Sequence, residues 1–164
     1  MSAPSVTFLC DTSVLFAASD TGHVHHRPSL ELVANASPSR AYVAAHSLAE
    51  LYATLSATPA PKMRRVDAVL EAVEHAARVL TPITLTEDDY LWVLRRVAAT
   101  GSRSGKIHDA LVLKCGERAG VDLVYTWNTT HFASIAWPEM AGRIESPDTP
   151  RPGSPPCLSA SSRR

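Results

Sequence analysis

Asp11, Glu50 and Asp109 are carboxylates carried by three separate segments, and Asn128 adds an amide oxygen from a fourth. Asp11 closes the apolar run Val6-Thr7-Phe8-Leu9-Cys10 and is followed at once by Thr12 and Ser13. Such a run, broken by Asp-Thr-Ser, reads as a buried strand with a carboxylate at its C-terminal end, where open α/β sheets bind ligands. Glu50 lies at the start of a helical stretch behind a second apolar run. Asp109 lies in the first turn of a later helix, among Ile107, Ala110, Leu111, Val112 and Leu113. A charge in so apolar a helix is costly unless it is paired or metal-bound. Asn128 sits just past a further strand end.

Each residue taken singly has a plainer use. Asp11 can cap a helix, Glu50 can face solvent and Asn128 can make a turn. Asp109 can meet a helix dipole, an interaction worth about 0.3–1 kcal/mol. As a set they ask for more. Carboxylates about 5 Å apart repel by ~3 kcal/mol per pair at an effective dielectric of ~20. A divalent cation removes that penalty, and all-oxygen ligation favours Mg²⁺ or Mn²⁺ over zinc. Such an ion activates water and stabilises a leaving oxygen in phosphodiester hydrolysis.

Strand and helix signals alternate through the chain to about residue 145. Strands are expected at 6–10, 41–44, 83–85 and 121–126, with a short last one at 143–145. Helices are expected from residue 14, from 30, over 45–55, over 63–79 with Val66, Val69, Leu70 and Val73 on one face, from the N-cap Thr86 to 99, and over 107–118. Gly120 should cap the last of these. Strands separated by helices imply a three-layer α/β/α sandwich with a central, mainly parallel sheet. Residues 146–164 differ in kind, with five prolines in nineteen residues and Leu158 as the one large apolar side chain. That segment buries too little to offset its ordering entropy and reads as a disordered Pro/Ser-rich tail. The expected organisation is one domain over residues 1–145, followed by this tail.

Sixteen Lys+Arg balance sixteen Asp+Glu, so any nucleic-acid contact must rest on local clustering. Arg103 and Lys106 flank the turn entering the Asp109 helix and are candidate phosphate contacts. Of the histidines, His23, His25 and His26 cluster in a turn before Pro28, and His46 stands four residues before Glu50, within hydrogen-bonding reach on one helix face. His108 is expected to point elsewhere on its helix, and His131 to cap or to touch phosphate. None is taken as a metal ligand, since zinc needs three or four well-placed donors. Cys10 and Cys115 look like small core residues, which suits a reducing compartment. The first residues show no secretory signal, and no apolar stretch approaches the roughly 18 residues of a membrane span, so a soluble cytoplasmic protein is expected.

Four segments, Leu9-Cys10-Asp11-Thr12-Ser13-Val14-Leu15, Ser47-Leu48-Ala49-Glu50-Leu51, Ile107-His108-Asp109-Ala110-Leu111 and Thr126-Trp127-Asn128-Thr129-Thr130-His131-Phe132, resemble in order and spacing the signature regions of PIN-domain nucleases. Length and spacing are similar to the VapC toxins of bacterial toxin–antitoxin pairs, over residues 5–145. The resemblance implies a PIN-like fold and a Mg²⁺- or Mn²⁺-dependent endoribonuclease. It makes Asp11, Glu50, Asp109 and Asn128 the catalytic set, with Asp11 and Asp109 on the metal. It also implies an RNA substrate and a small cognate antitoxin as partners, no membrane, and room for a homodimer. Asn128 departs from the fourth acid that many relatives carry. Two other readings stay open. One is an Asp11-nucleophile phosphatase-like enzyme, against which Ser13 stands where a second acid would be wanted. The other is a catalytically weak module that binds RNA or a partner.

Overall fold

The computed structural model describes residues 6–59, 64–101 and 105–149. A five-stranded parallel sheet of order β3-β2-β1-β4-β5 forms its centre. The strands are β1 (Phe8–Cys10), β2 (Ala41–Ala44), β3 (Thr81–Ile83), β4 (Leu123–Tyr125) and β5 (Ile144–Glu145). The helices are α1 (Thr12–Ser19), α2 (His26–Ala34), α3 (Ala45–Ser56), α4 (Val66–Val79), α5 (Glu87–Ala99), α6 (Lys106–Ala119), α7 (Thr129–Ile135) and α8 (Pro138–Ala141).

Side chains alternate across the sheet with the period of two that strands impose. Phe8 and Cys10 of β1, Val43 of β2 and Tyr125 of β4 join a core with α1, α3 and α4 through Val14, Leu51, Leu55 and Val69. Leu9, Ala44 and Val124 turn the other way and pack with α5, α6, α7 and α8 through Val93, Leu113, Phe132 and Met140. Two apolar layers on one sheet give the expected α/β/α sandwich. β1 lies between β2 and β4, so the chain reverses its direction of travel across the sheet beside β1. Ligand crevices in open α/β sheets form at such switch points, outside the carboxyl ends of the strands.

Local signals account for some of the helix ends. Thr86 and Asp89 form a reciprocal capping box on α5. Gly120 ends α6 in the left-handed conformation, at φ 64°. Several expectations shift, among them the start of α2, which lies at His26 and takes in Pro28 where the helix was expected from residue 30. β3 occupies 81–83 instead of 83–85, with Pro82 inside it. At the sheet edge a proline's missing N–H costs no ladder bond. Helices α7 and α8 follow β4 where only a polar turn was read, although Pro138 at the first position of α8 is a helix-start signal. α4 begins at Val66, and the expected start at Met63 lies outside the described residues. Most of the 146–164 segment also lies outside them. Ser146 and Thr149 close a short turn after β5, with the Thr149 N–H donating to the Ser146 carbonyl at 3.1 Å. Among the described residues no helix is long and apolar enough to cross a membrane.

Candidate active site

Asp11 leaves β1 and caps α1. Three donors converge on its Oδ2: the Ser13 hydroxyl at 2.7 Å, the Thr126 hydroxyl at 2.9 Å and the Ser13 backbone N–H at 3.4 Å. The side chain is buried, at 6% exposure. Burial pushes its carboxyl above the usual range, and the bonds from Ser13 and Thr126 pull against that. Capping and placement in a cleft are therefore both true of Asp11. Thr126, wholly buried, also accepts the Asn128 backbone N–H at 3.0 Å, so one hydroxyl ties the end of β4 to the end of β1.

Glu50 projects from α3. The Thr12 hydroxyl donates to its Oε2 at 2.8 Å, and His108 Nδ1 lies 3.2 Å from its Oε1. Asp109, half-buried in the first turn of α6, is pushed up to about 6. Burial is the main cause and the Asp11 carboxylate the next; Glu50 adds to the rise, while His131 and His108 oppose it. Asn128 stands at the N-cap position of α7, but its side chain makes no capping bond. Asp11, Glu50, Asp109 and Asn128 together line one open cleft of about 340 Å³, with Thr12, Ser13 and His108 among its other walls.

The remaining candidates fall elsewhere. Lys106 opens α6 and is not among the described residues lining the cleft; Arg103 lies outside the described residues. His108, expected to point away, turns into the cleft because the first turn of α6 packs opposite Glu50. His46 does not bond Glu50: its Nε2 is buried without a hydrogen-bond partner among the described residues, and burial lowers its pKa. Thr12, Ser13 and Thr126 were not singled out from sequence. Their signal was present: hydroxyl residues directly flank each of the two strand ends, at Asp11-Thr12-Ser13 and Thr126-Trp127-Asn128.

The donor set is chemically that of a hard-cation site, with three carboxylates and an amide oxygen on one wall. The raised Asp109 reflects burial first and the neighbouring Asp11 charge second, and a bound cation would favour its ionised form against both. No three acidic, His or Cys side chains among the described residues converge closely enough to hold one ion by themselves. The fit is one of donor chemistry, with protein ligands that water would have to supplement.

The PIN domain family model matches residues 8–138. The chain belongs to the PIN-domain family. Solved structures share the fold at low identity. VapC20 of Mycobacterium tuberculosis, described as a sarcin–ricin loop cleaving toxin, is 20% identical with a TM-score of 0.61, covering 78% of this chain and 95% of that one. VapBC2 of Rickettsia felis, bound to a promoter DNA fragment, is 17% identical with a TM-score of 0.60, covering 85% and 98%. FitAcB of Neisseria gonorrhoeae is 17% identical with a TM-score of 0.59, covering 86% and 98%. Curated protein sequences return no match.

Proposed function

We propose that this chain is a Mg²⁺- or Mn²⁺-dependent endoribonuclease that acts in the cytoplasm as the toxin of a toxin–antitoxin pair. One observation carries the reading: side chains from the ends of β1 and β4 and from α3 and α6 meet in a single acidic cleft at the carboxyl ends of a parallel sheet. Asp11 and Asp109 would hold the metal, which supplies a Lewis acid for phosphodiester hydrolysis when bound. Ser13 and Thr126 fix the Asp11 carboxylate by holding Oδ2. Thr12 and His108 hold the two oxygens of Glu50, which orients the attacking water. Asn128 completes the wall with a neutral oxygen. Arg103 and Lys106 at the entry to α6 remain the proposed phosphate contacts. We assign this activity to residues 1–145 and place 146–164 outside the domain.

The similarity to VapC20 supports the toxin role. A small antitoxin has a suitable face in the apolar groove lined by Leu15, Leu30, Val33, Leu51 and His75. Tyr90, Leu91 and Leu94, exposed on α5, offer a second face for a homodimer. The phosphatase-like alternative is disfavoured by the same geometry, because the Asp11 oxygen is engaged by Ser13 where that chemistry wants an acid.

RNA cleavage with Mn²⁺ or Mg²⁺, abolished by EDTA and by Asp11→Asn, is the expected result. Either ion at about a hundredfold over its dissociation constant should also raise the stability of the parent by ~2.7 kcal/mol. Cleavage that persists in EDTA would overturn the metal assignment, and RNA binding with no cleavage under any ion would favour the binding-module reading.

A further inference from the structure

Trp127 and His25 form a parallel ring pair beside the cleft, with centroids 3.7 Å apart and planes 7° from coplanar. Trp127 directly precedes Asn128. Its backbone N–H donates to Ser13 Oγ at 3.1 Å, and that hydroxyl donates to Asp11 Oδ2 at 2.7 Å. The indole Nε1–H donates to the buried Ser29 hydroxyl at 2.9 Å. The Trp127 ring is thus anchored at both ends, one short chain of hydrogen bonds from the acidic cluster.

The loop that carries His25 is held just as firmly. The Gly22 N–H donates to Asp20 Oδ1 at 3.0 Å, and the His25 N–H to His23 Nδ1 at 3.1 Å. His26 Nδ1 pairs with the Ala17 carbonyl at 2.9 Å. His23 stands 5.6 Å from His25 at an angle of 46°, so no described ring stacks on the second face of the His25 imidazole. Val24, between the two histidines, is 85% exposed. Trp127 also packs, partly buried, against the core that holds Val14 and Leu51. Here a preorganised loop leaves both His25 and Trp127 half-exposed, with an apolar side chain beside them.

We infer that the His25–Trp127 stack is a platform for an unpaired base of the RNA strand, next to the phosphate in the cleft. The inference rests on the ribonuclease reading and adds a binding subsite to it. The charge pattern gives it a purpose. A chain of formal net charge zero with carboxylates lining its cleft draws phosphate weakly. Stacking on an aromatic face is indifferent to that repulsion, and single-stranded RNA is commonly held this way. The base extends the Trp127–His25 stack by one ring and meets Val24 at its edge. A purine, with the larger ring face, is held better than a pyrimidine.

The test is binding of fluorescein-labelled oligo(A) and oligo(U) in EDTA, read by anisotropy over a range of salt. The parent should bind oligo(A) more tightly than oligo(U). His25→Ala should weaken oligo(A) binding by about 5- to 100-fold, the range seen on losing a stacked base, with an unchanged salt slope. His25→Phe should restore binding to within about threefold of the parent, since it returns the ring without the imidazole nitrogens. Equal affinities for parent and His25→Ala would overturn the platform alone, provided RNA is still cleaved. His25→Phe as weak as His25→Ala, or a flattened salt slope in both, would overturn stacking in favour of a polar phosphate contact. A parent that neither binds nor cleaves RNA would overturn platform and nuclease reading together.

Discussion

Asp11 acts on Asp109 as a like charge across the cleft that both line, and with burial as the larger cause it holds the Asp109 carboxyl near 6. An unfolded Asp titrates near ~3.9, so the folded chain binds this proton more tightly than the unfolded chain does. The stability linked to it is complete below about pH 4 and is lost as pH rises through about 6. Asp109→Asn removes that loss. At about pH 7.5 the variant should gain ~1 kcal/mol, discounted for solvent at a half-buried group, or roughly 2–4 °C in Tm. At about pH 4 it should gain nothing. Equal melting of both proteins at the higher pH would reduce Asp109 to an ordinary helix-dipole charge.

Thr126 is the hinge of the hydroxyl network, donating to Asp11 and accepting from Asn128. Thr126→Val keeps the shape and deletes the O–H, leaving a buried carboxylate and an N–H without that partner. We expect a loss of about 1–3 kcal/mol, a further rise in the Asp11 pKa, and cleavage at neutral pH reduced at least about tenfold. Thr126→Ser should recover most of both. Full activity in the valine variant, measured beside its thermal melt, would remove Thr126 from the positioning role.

Asn128 brings an oxygen without charge. Asp11→Asn and Asp109→Asn should each cost orders of magnitude in turnover, and Asn128→Ala clearly less. Asn128→Asp should tighten metal binding, because a carboxylate offsets more of a cation's desolvation than an amide does. Turnover need not rise with it, since a fourth carboxylate also repels the phosphate. Calorimetric titration with Mn²⁺ reads the affinity. An Asn128→Ala defect as deep as that of Asp11→Asn would make Asn128 a principal group.

Residues 150–164 are the part of the Pro/Ser-rich segment 146–164, read as tail, that lies outside the described residues. Deleting them should leave melting within about 1 kcal/mol of the parent and RNA cleavage unchanged. A larger loss would mean that the segment docks on the domain, with Leu158 as its one sizeable apolar anchor.

The sheet and the meeting of four distant positions were legible because each rests on a local signal: an apolar run ending in Asp-Thr-Ser, a Thr86 cap, an acid inside an apolar helix. What eluded the sequence depends on partners far along the chain. The strand was expected to begin only after Pro82, because nothing local reveals that it lies at a sheet edge where a proline fits. Which way His108 faces is decided by Glu50, 58 residues away in the chain. The hydroxyls of Ser13 and Thr126 gain their meaning only when β1 and β4 pair and bring Tyr125 opposite Cys10. The His25–Trp127 stack joins a loop and a turn that no periodicity connects.

The double duty of Asp11 has a practical side. Its Oδ2 caps α1 and receives the Ser13 and Thr126 donors, and an amide oxygen can accept the same bonds, more weakly than a charged carboxylate does. Asparagine therefore keeps the architecture and discards only the charge, whereas alanine discards both. An aspartate codon becomes an asparagine codon by a single base change. If the proposed ribonuclease reading holds, a folded form of this chain without the Asp11 charge is one nucleotide away, a version to produce in a host whose RNA the parent would otherwise cut.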